Sequence, residues 1–228
     1  MHPVLFQFHG MTIYSYGFFT ALAMVVALFL AEKRAKSFGL EAAQVADILF
    51  ILFIAGIVGA RAFYVWQHFE DYTSDLWAIV RIQEGGLVWY GGLFSAIFLG
   101  SLYARWRGWP ILKLCDFFSP ISALAHGIGR IGCFFNGCCY GIAKLPTQLF
   151  EALGLFMISG VLFYLLPKPH KEGKIFLFYL LFYSMLRFVM EFLRGDNKHF
   201  FYLTLPQWMS LGLFLSALLF LNKQKTSQ

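Results

Sequence analysis

Runs of about twenty apolar residues recur along this chain, and they constrain its fold more than any other feature. A helix needs about 20 residues to cross a ~30 Å hydrocarbon layer, and a spanning backbone must satisfy its own hydrogen bonds. Seven such runs can be read: roughly Ile13 to Leu30, Val45 to Trp66, Trp89 to Trp106, Ile111 to Phe135, Leu149 to Leu166, Ile175 to Leu193 and Leu205 to Leu221. The expectation is an all-α polytopic membrane protein, with residues 1–228 forming a single seven-helix transmembrane domain. Only 13% of residues are charged against 59% hydrophobic, which is too sparse a charged surface for a soluble domain of this size.

The basic residues fall in alternate links. Lys33, Arg34 and Lys36 follow the first run, Arg105, Arg107 and Lys113 the third, and Lys168, Lys171 and Lys174 the fifth, while Lys223 and Lys225 close the chain. The remaining links carry Glu70, Asp71, Asp75, Glu84 and Asp196. By the positive-inside rule the basic links lie in the cytoplasm, which puts the N-terminus outside and the C-terminus inside. The net charge of +6 is thereby explained without a nucleic-acid partner. The opening Met1-His-Pro-Val-Leu-Phe-Gln lacks a basic start and a small-residue cleavage site, so the first run is expected to act as its own insertion signal.

Polar chemistry concentrates in Ala125-His-Gly-Ile-Gly-Arg-Ile-Gly-Cys-Phe-Phe-Asn-Gly-Cys-Cys-Tyr-Gly141. Ionisable groups at membrane depth are costly and mark functional sites by default. At about 100° per residue, Asp116, His126 and Arg130 share one helix face, Arg130 lying about 40° from each of the other two. At 1.5 Å rise, Asp116 lies roughly 21 Å nearer the cytoplasm than Arg130. Asp116 is therefore expected to cap or brace helices, and Arg130, near the outer end, to meet a substrate. Arg187, Glu191 and Arg194 form a second charged face by i,i+4 and i,i+7 spacing, read either as an ion-paired helix face or as part of a polar site. Arginines converging at one membrane boundary suit a phosphate, whose oxygens match the guanidinium fork.

Other positions leave alternatives open. Arg61 either snorkels to the headgroups or points inward at a phosphate. Gly85-Gly-Leu-Val-Trp-Tyr-Gly-Gly92 is either a helix start that approaches a ligand closely or a loop followed by small-residue helix packing. The link from Gln67 to Leu87 is expected to lie at the interface with a short amphipathic helix. Tyr14 and Tyr16 stand at the outer interface, where tyrosines anchor helices. Gln148 and Glu151 face the outer side one turn apart. Cys115 is expected to be a small buried residue. Cys133, Cys138 and Cys139, in a Cys-x4-Cys-Cys pattern, fit no strong zinc spacing but leave thiol oxidation or soft-metal sensing open.

At these residues the sequence resembles the bacterial prolipoprotein diacylglyceryl transferases. The resemblance runs from Tyr16-Gly17 through Gly59-Ala-Arg61, the Gly-Gly-Leu elements around Trp89, and Asp116 with Pro120. It continues through Gly129-Arg-Ile-Gly-Cys-Phe-Phe-Asn-Gly137 with Gly141, Pro146-Thr-Gln-Leu-Phe-Glu151, and Arg187 to Arg194 with Gln207. It implies transfer of the diacylglyceryl group of phosphatidylglycerol to the lipobox cysteine of preprolipoproteins in the bacterial cytoplasmic (inner) membrane, with no cofactor or metal. The expected partners are phosphatidylglycerol, preprolipoprotein signal peptides and membrane lipids. It implies that Arg130 and Arg187 hold the phosphate and that Tyr16 is needed, and the candidate catalytic residues are Arg130, Arg187, Glu191, Tyr16, Tyr90 and Asn136. The binding set is Arg130, Arg187, Arg194, Arg61, Gly141 and Gln148. Tyr90 replaces the family's histidine, and Cys133 and Cys138 replace an asparagine and a glutamate. The link from Asn136 to Leu145 is short for the family. Glu191, His126 and Tyr90 are the alternatives for the general base. The competing readings are a transferase of the same fold with another acceptor or donor, and a thiol- or metal-sensing membrane protein without catalysis.

Overall fold

A computed structural model describes residues 2–8, 11–73, 75–82, 85–194, 199–200 and 202–226. It is all-α apart from two short hairpins. The helices are α1 (Ser15–Ala35), α2 (Ala42–Gln67), α3 (Trp89–Trp106), α4 (Ile111–Asn136), α5 (Thr147–Leu165), α6 (Lys174–Phe192) and α7 (Leu205–Thr226). Strands β1 (Val4–Phe8) and β2 (Met11–Tyr14) pair antiparallel before α1, and β3 (His199–Phe200) pairs with β4 (Leu203–Thr204) before α7.

Six of these helices are long and apolar enough to cross a membrane: α1, α2, α4, α5, α6 and α7. α3 occupies the expected residues, but its 18 residues open on Trp89-Tyr-Gly-Gly92 and close on Arg105-Trp106, which lowers its mean hydropathy. The first helix begins at Ser15 and not at Ile13, because Ile13 pairs with Phe6 in the hairpin. The link after α2 holds two 3-10 turns, Phe69–Tyr72 and Leu76–Val80, and no amphipathic α-helix among its described residues. Leu76, Trp77 and Val80 are nonetheless exposed there. Cys115 is half-buried and not fully enclosed. Glu84 and Asp196, used above to orient the chain, lie outside the described residues.

The chain divides into two compact units, residues 32–111 and residues 1–31 with 112–228. In the first, α2 and α3 meet through glycines. A Cβ on Gly92 would stand 2.8 Å from the Gly56 carbonyl oxygen, and one on Gly91 2.6 Å from that of Gly59. Bare backbone at Gly59, Gly91 and Gly92 therefore lets the helices approach, as small residues do where no hydrophobic effect drives association. Arg61 is 6% exposed in this unit. Its Nε donates to the Ile79 carbonyl at 2.9 Å, Nη1 to Gly85 at 2.5 Å and Gly86 at 3.1 Å, and Nη2 to Ala78 at 2.6 Å and Arg81 at 3.4 Å. Gly85 and Gly86 have φ of 87° and 74°, a left-handed conformation that suits glycine. This corrects the reading of Arg61. Its donors face the carbonyls of the returning loop, so it neither snorkels nor presents them to a phosphate.

In the second unit, α4 runs through Pro120 without ending, and the Pro120 carbonyl accepts a 2.8 Å hydrogen bond from Ser159 on α5. Asp116 braces α6 as its phase and depth suggested. Its carboxylate accepts the Gly173 N–H at 2.6 Å and the Phe176 N–H at 2.8 Å, and His170 lies at 3.5 Å. A carboxylate on the free N–H groups of a helix start also meets the positive end of its dipole.

Candidate functional site

The opposite end of the second unit gathers the polar residues of four helices. α1 and α4 approach where Gly132 faces Phe19, and Phe19 stacks on Phe135 at 5.2 Å. Gly154 on α5 admits Leu186 of α6, and Gly127 on α4 admits Phe156 of α5. These close packings hold the facing side chains of α4, α5 and α6 together.

Two ion pairs form the centre. Arg130 Nη2 lies 2.8 Å from Glu151 Oε1, with side chains 15% and 3% exposed. Arg187 Nη2 lies 2.7 Å from Glu191 Oε2, one turn along α6. Tyr183, one turn before Arg187, hydrogen-bonds Arg130 and stands within electrostatic range of Arg187 and Glu151. The His126 ring packs 5.4 Å from that of Tyr183 and feels both arginines. Glu191 Oε1 also accepts a 2.9 Å hydrogen bond from the Thr204 hydroxyl. Thr204 caps α7 reciprocally with Gln207, whose side-chain oxygen accepts the Thr204 N–H at 2.9 Å. Among the described residues, Arg130 Nε, Arg187 Nη1 and Gln148 Oε1 are buried without a hydrogen-bond partner. Such atoms are rare in protein interiors, where buried polar groups are nearly always paired.

The loop after α4 forms one wall. Gly137 and Cys139 have φ of 77° and 64°, so the chain turns sharply just beyond Asn136, the last residue of α4. Gln148 Nε2 donates to the Cys138 carbonyl at 2.6 Å, and the Thr147 hydroxyl to that of Cys139 at 3.0 Å. Gly141 bridges to Arg194 in antiparallel fashion, and the Ile142 N–H donates to the Leu193 carbonyl at 2.9 Å. A Cβ on Gly141 would collide with that Leu193 carbonyl and lie 2.6 Å from Thr147 Cγ2, so glycine is needed for close approach. The short link is thus stitched to the end of α6. Hydrogen bonding from Cys133 brings the Cys139 thiol below the usual thiol range, outweighing burial, which pushes it up, with Cys138 and Arg194 adding to the lowering. Among the described residues no three His, Cys, Asp or Glu side chains converge as metal ligands.

Of the residues singled out from the sequence, Arg130, Arg187, Glu191, Gln148, Gly141 and Arg194 all belong to this cluster. Tyr16 opens α1, half exposed, within electrostatic range of Cys133, Cys138 and Arg130. Arg61 and Tyr90 belong to the other unit, where Tyr90 stands on the first turn of α3 with its ring 5.2 Å from that of Trp89. Glu151, Tyr183 and Thr204 were missed as site residues. The spacing of Tyr183 one turn before Arg187 was an available signal.

Comparison with known proteins identifies relatives of this chain. Residues 3–222 match the family described as prolipoprotein diacylglyceryl transferase. A relative from Clostridium tetani, named phosphatidylglycerol–prolipoprotein diacylglyceryl transferase, is 32% identical over 218 residues, 87% of each chain. One of the same name from Finegoldia magna is 32% identical over 99% of this chain and 96% of its own. A Clostridium perfringens protein named as the second such transferase is 30% identical over 99% and 96%. A family match over residues 3–222 and relatives 30–32% identical across most or nearly all of the chain make this protein a member of the prolipoprotein diacylglyceryl transferase family.

Proposed function

We propose that this chain transfers the diacylglyceryl group of phosphatidylglycerol to the lipobox cysteine of preprolipoproteins, as a seven-span enzyme of the bacterial cytoplasmic membrane. Its N-terminus lies outside and its C-terminus in the cytoplasm. In the reaction the acceptor sulfur attacks the glycerol carbon that bears the phosphate. A C–S bond forms, the C–O bond breaks, and glycerol phosphate departs with one more negative charge than the diester carried. The thiol proton passes to a base. Cationic donors aimed at the departing oxygens lower this barrier, because charge develops there.

The observation that carries the reading is the pair of buried arginines whose remaining donors, Arg130 Nε and Arg187 Nη1, lack hydrogen-bond partners. Glu151 and Glu191 act as positioning residues that hold each guanidinium from one side. Gln148 and Arg194 extend the phosphate-binding wall, Gly141 lets it close, and Asn136 sets the turn that begins it. Tyr16, beside Arg130, is assigned to the headgroup. Tyr90 stands where the family carries histidine.

The test is transfer in phosphatidylglycerol vesicles to a lipobox peptide, followed by mass spectrometry. The wild-type chain adds one diacylglyceryl group to the peptide cysteine, and Arg130→Ala and Arg187→Ala each abolish the addition. A folded wild-type protein that transfers nothing overturns the proposal, as does full activity in both variants.

A further inference from the structure

A second lipid-shaped feature lies at the other end of α6, away from the arginine cluster. Between the start of α6 and the end of α7 is a cavity of about 620 Å³. Phe178, Leu181, Leu218 and Leu221 line its apolar depth, and Lys171 and Lys174 line its mouth. Lys171 precedes the α6 span, Lys174 begins it, and Gln224 ends the α7 span, so the mouth sits at headgroup depth and the apolar wall runs one to two turns into the hydrocarbon.

The charge of the mouth is positive. Lys171 Nζ donates to the Gln224 carbonyl at 2.6 Å, which fixes its ammonium over the seam between the helices. Lys174 Nζ stands 5.9 Å from the Phe178 ring centroid, at the entrance to the apolar wall. His170 also lines the cavity and faces the Asp116 carboxylate at 3.5 Å. Glu172 is exposed, and its backbone carbonyl, not its carboxylate, bonds Gln224. Among the described residues no Asp or Glu side chain lines the cavity. Lys168, over the Tyr164 ring at 3.7 Å, adds a further cation nearby.

We propose that this groove binds one intact anionic glycerophospholipid of the adjoining leaflet. The phosphodiester sits on Lys171 and Lys174, and an acyl chain lies along Phe178 and Leu218. Basic pockets between membrane helices select anionic headgroups in this way, and the apolar wall demands a chain as well as a charge. The site is distinct from the arginine cluster, and it stands whether or not that cluster performs the transfer proposed above.

Native mass spectrometry of the full chain tests it, with phosphatidylserine and phosphatidylcholine of identical acyl chains as competing probes. The wild-type protein retains phosphatidylserine by about tenfold or more over phosphatidylcholine, as expected for two lysines at headgroup depth. Lys171→Gln with Lys174→Gln loses this excess, Lys171→Arg with Lys174→Arg keeps it, and Arg187→Gln keeps it because the site lies elsewhere. Equal retention of the two lipids by the wild type overturns the proposal, as does an undiminished excess in the double Gln variant. Displacement of the lipid by inorganic phosphate alone overturns the commitment to an intact lipid.

Discussion

Replacing Glu151 by Gln isolates the role of the Arg130 ion pair. The carboxylate lies 2.8 Å from Arg130 Nη2 and is 3% exposed, so solvent cannot replace it. Removing one partner of a buried pair leaves an uncompensated charge and costs about 3–5 kcal/mol. A Gln oxygen in the same place returns only the ~1 kcal/mol of an ordinary hydrogen bond. Glu151→Gln therefore lowers the thermal midpoint of the detergent-solubilised protein, and it cuts lipid transfer on the order of 10²-fold, because Arg130 is no longer held within an ångström of its working position. Glycerol phosphate, which supplies the missing negative charge, stabilises Glu151→Gln more than it stabilises the wild type. The double variant Arg130→Gln with Glu151→Gln removes both charges of this pair and loses less than the sum of the singles, by ~0.5–3 kcal/mol. Additive losses, together with equal stabilisation by glycerol phosphate in both proteins, refute the reasoning.

Three further outcomes follow from single residues. Arg61→Lys replaces five N–H donors with three, leaving at least two of the carbonyls from Ala78 to Gly86 unpaired at ~1–3 kcal/mol each; limited proteolysis opens that loop, and an unchanged cleavage pattern contradicts the assignment. Asp116→Asn keeps one acceptor and loses about 1–3 kcal/mol, whereas Asp116→Ala loses more because both α6 amides are left bare; equal midpoints for the two variants contradict the brace. Cys139, its pKa lowered, is alkylated by iodoacetamide at neutral pH faster than Cys115, and its rate falls only once the pH drops below that lowered pKa. Mass mapping of the labelled peptides reads this, and equal labelling of the two cysteines removes the support for a thiolate at Cys139.

Some of this arrangement is written in local spacing. The apolar runs locate the helices to within a few residues, because membrane crossing imposes a length that a sequence must meet by itself. The phase of Asp116, His126 and Arg130 separates a bracing carboxylate from an arginine of the site, because helix geometry is regular enough to carry angle and depth across fourteen residues. The i,i+4 pair of Arg187 and Glu191 is equally local, and the structure forms it.

What spacing leaves open is which distant partner each polar group meets. Arg61 looks alike in sequence whether it faces headgroups, phosphate or a returning loop, and only the backbone path from Ala78 to Gly86 decides for the loop. Glu151 meets Arg130 across two helices, and Thr204 meets Glu191 from outside α6 altogether. Those contacts depend on how closely bare glycines let helices pack, and that is a property of paired surfaces. The sequence by itself determined a membrane-embedded helical chain with arginines gathered toward one end, since hydropathy and helical phase are properties of single segments. Only the tertiary structure decided which carboxylate holds which arginine and which of their donors stay without a hydrogen-bond partner, because a buried charge takes its role from the partner that packing brings to it.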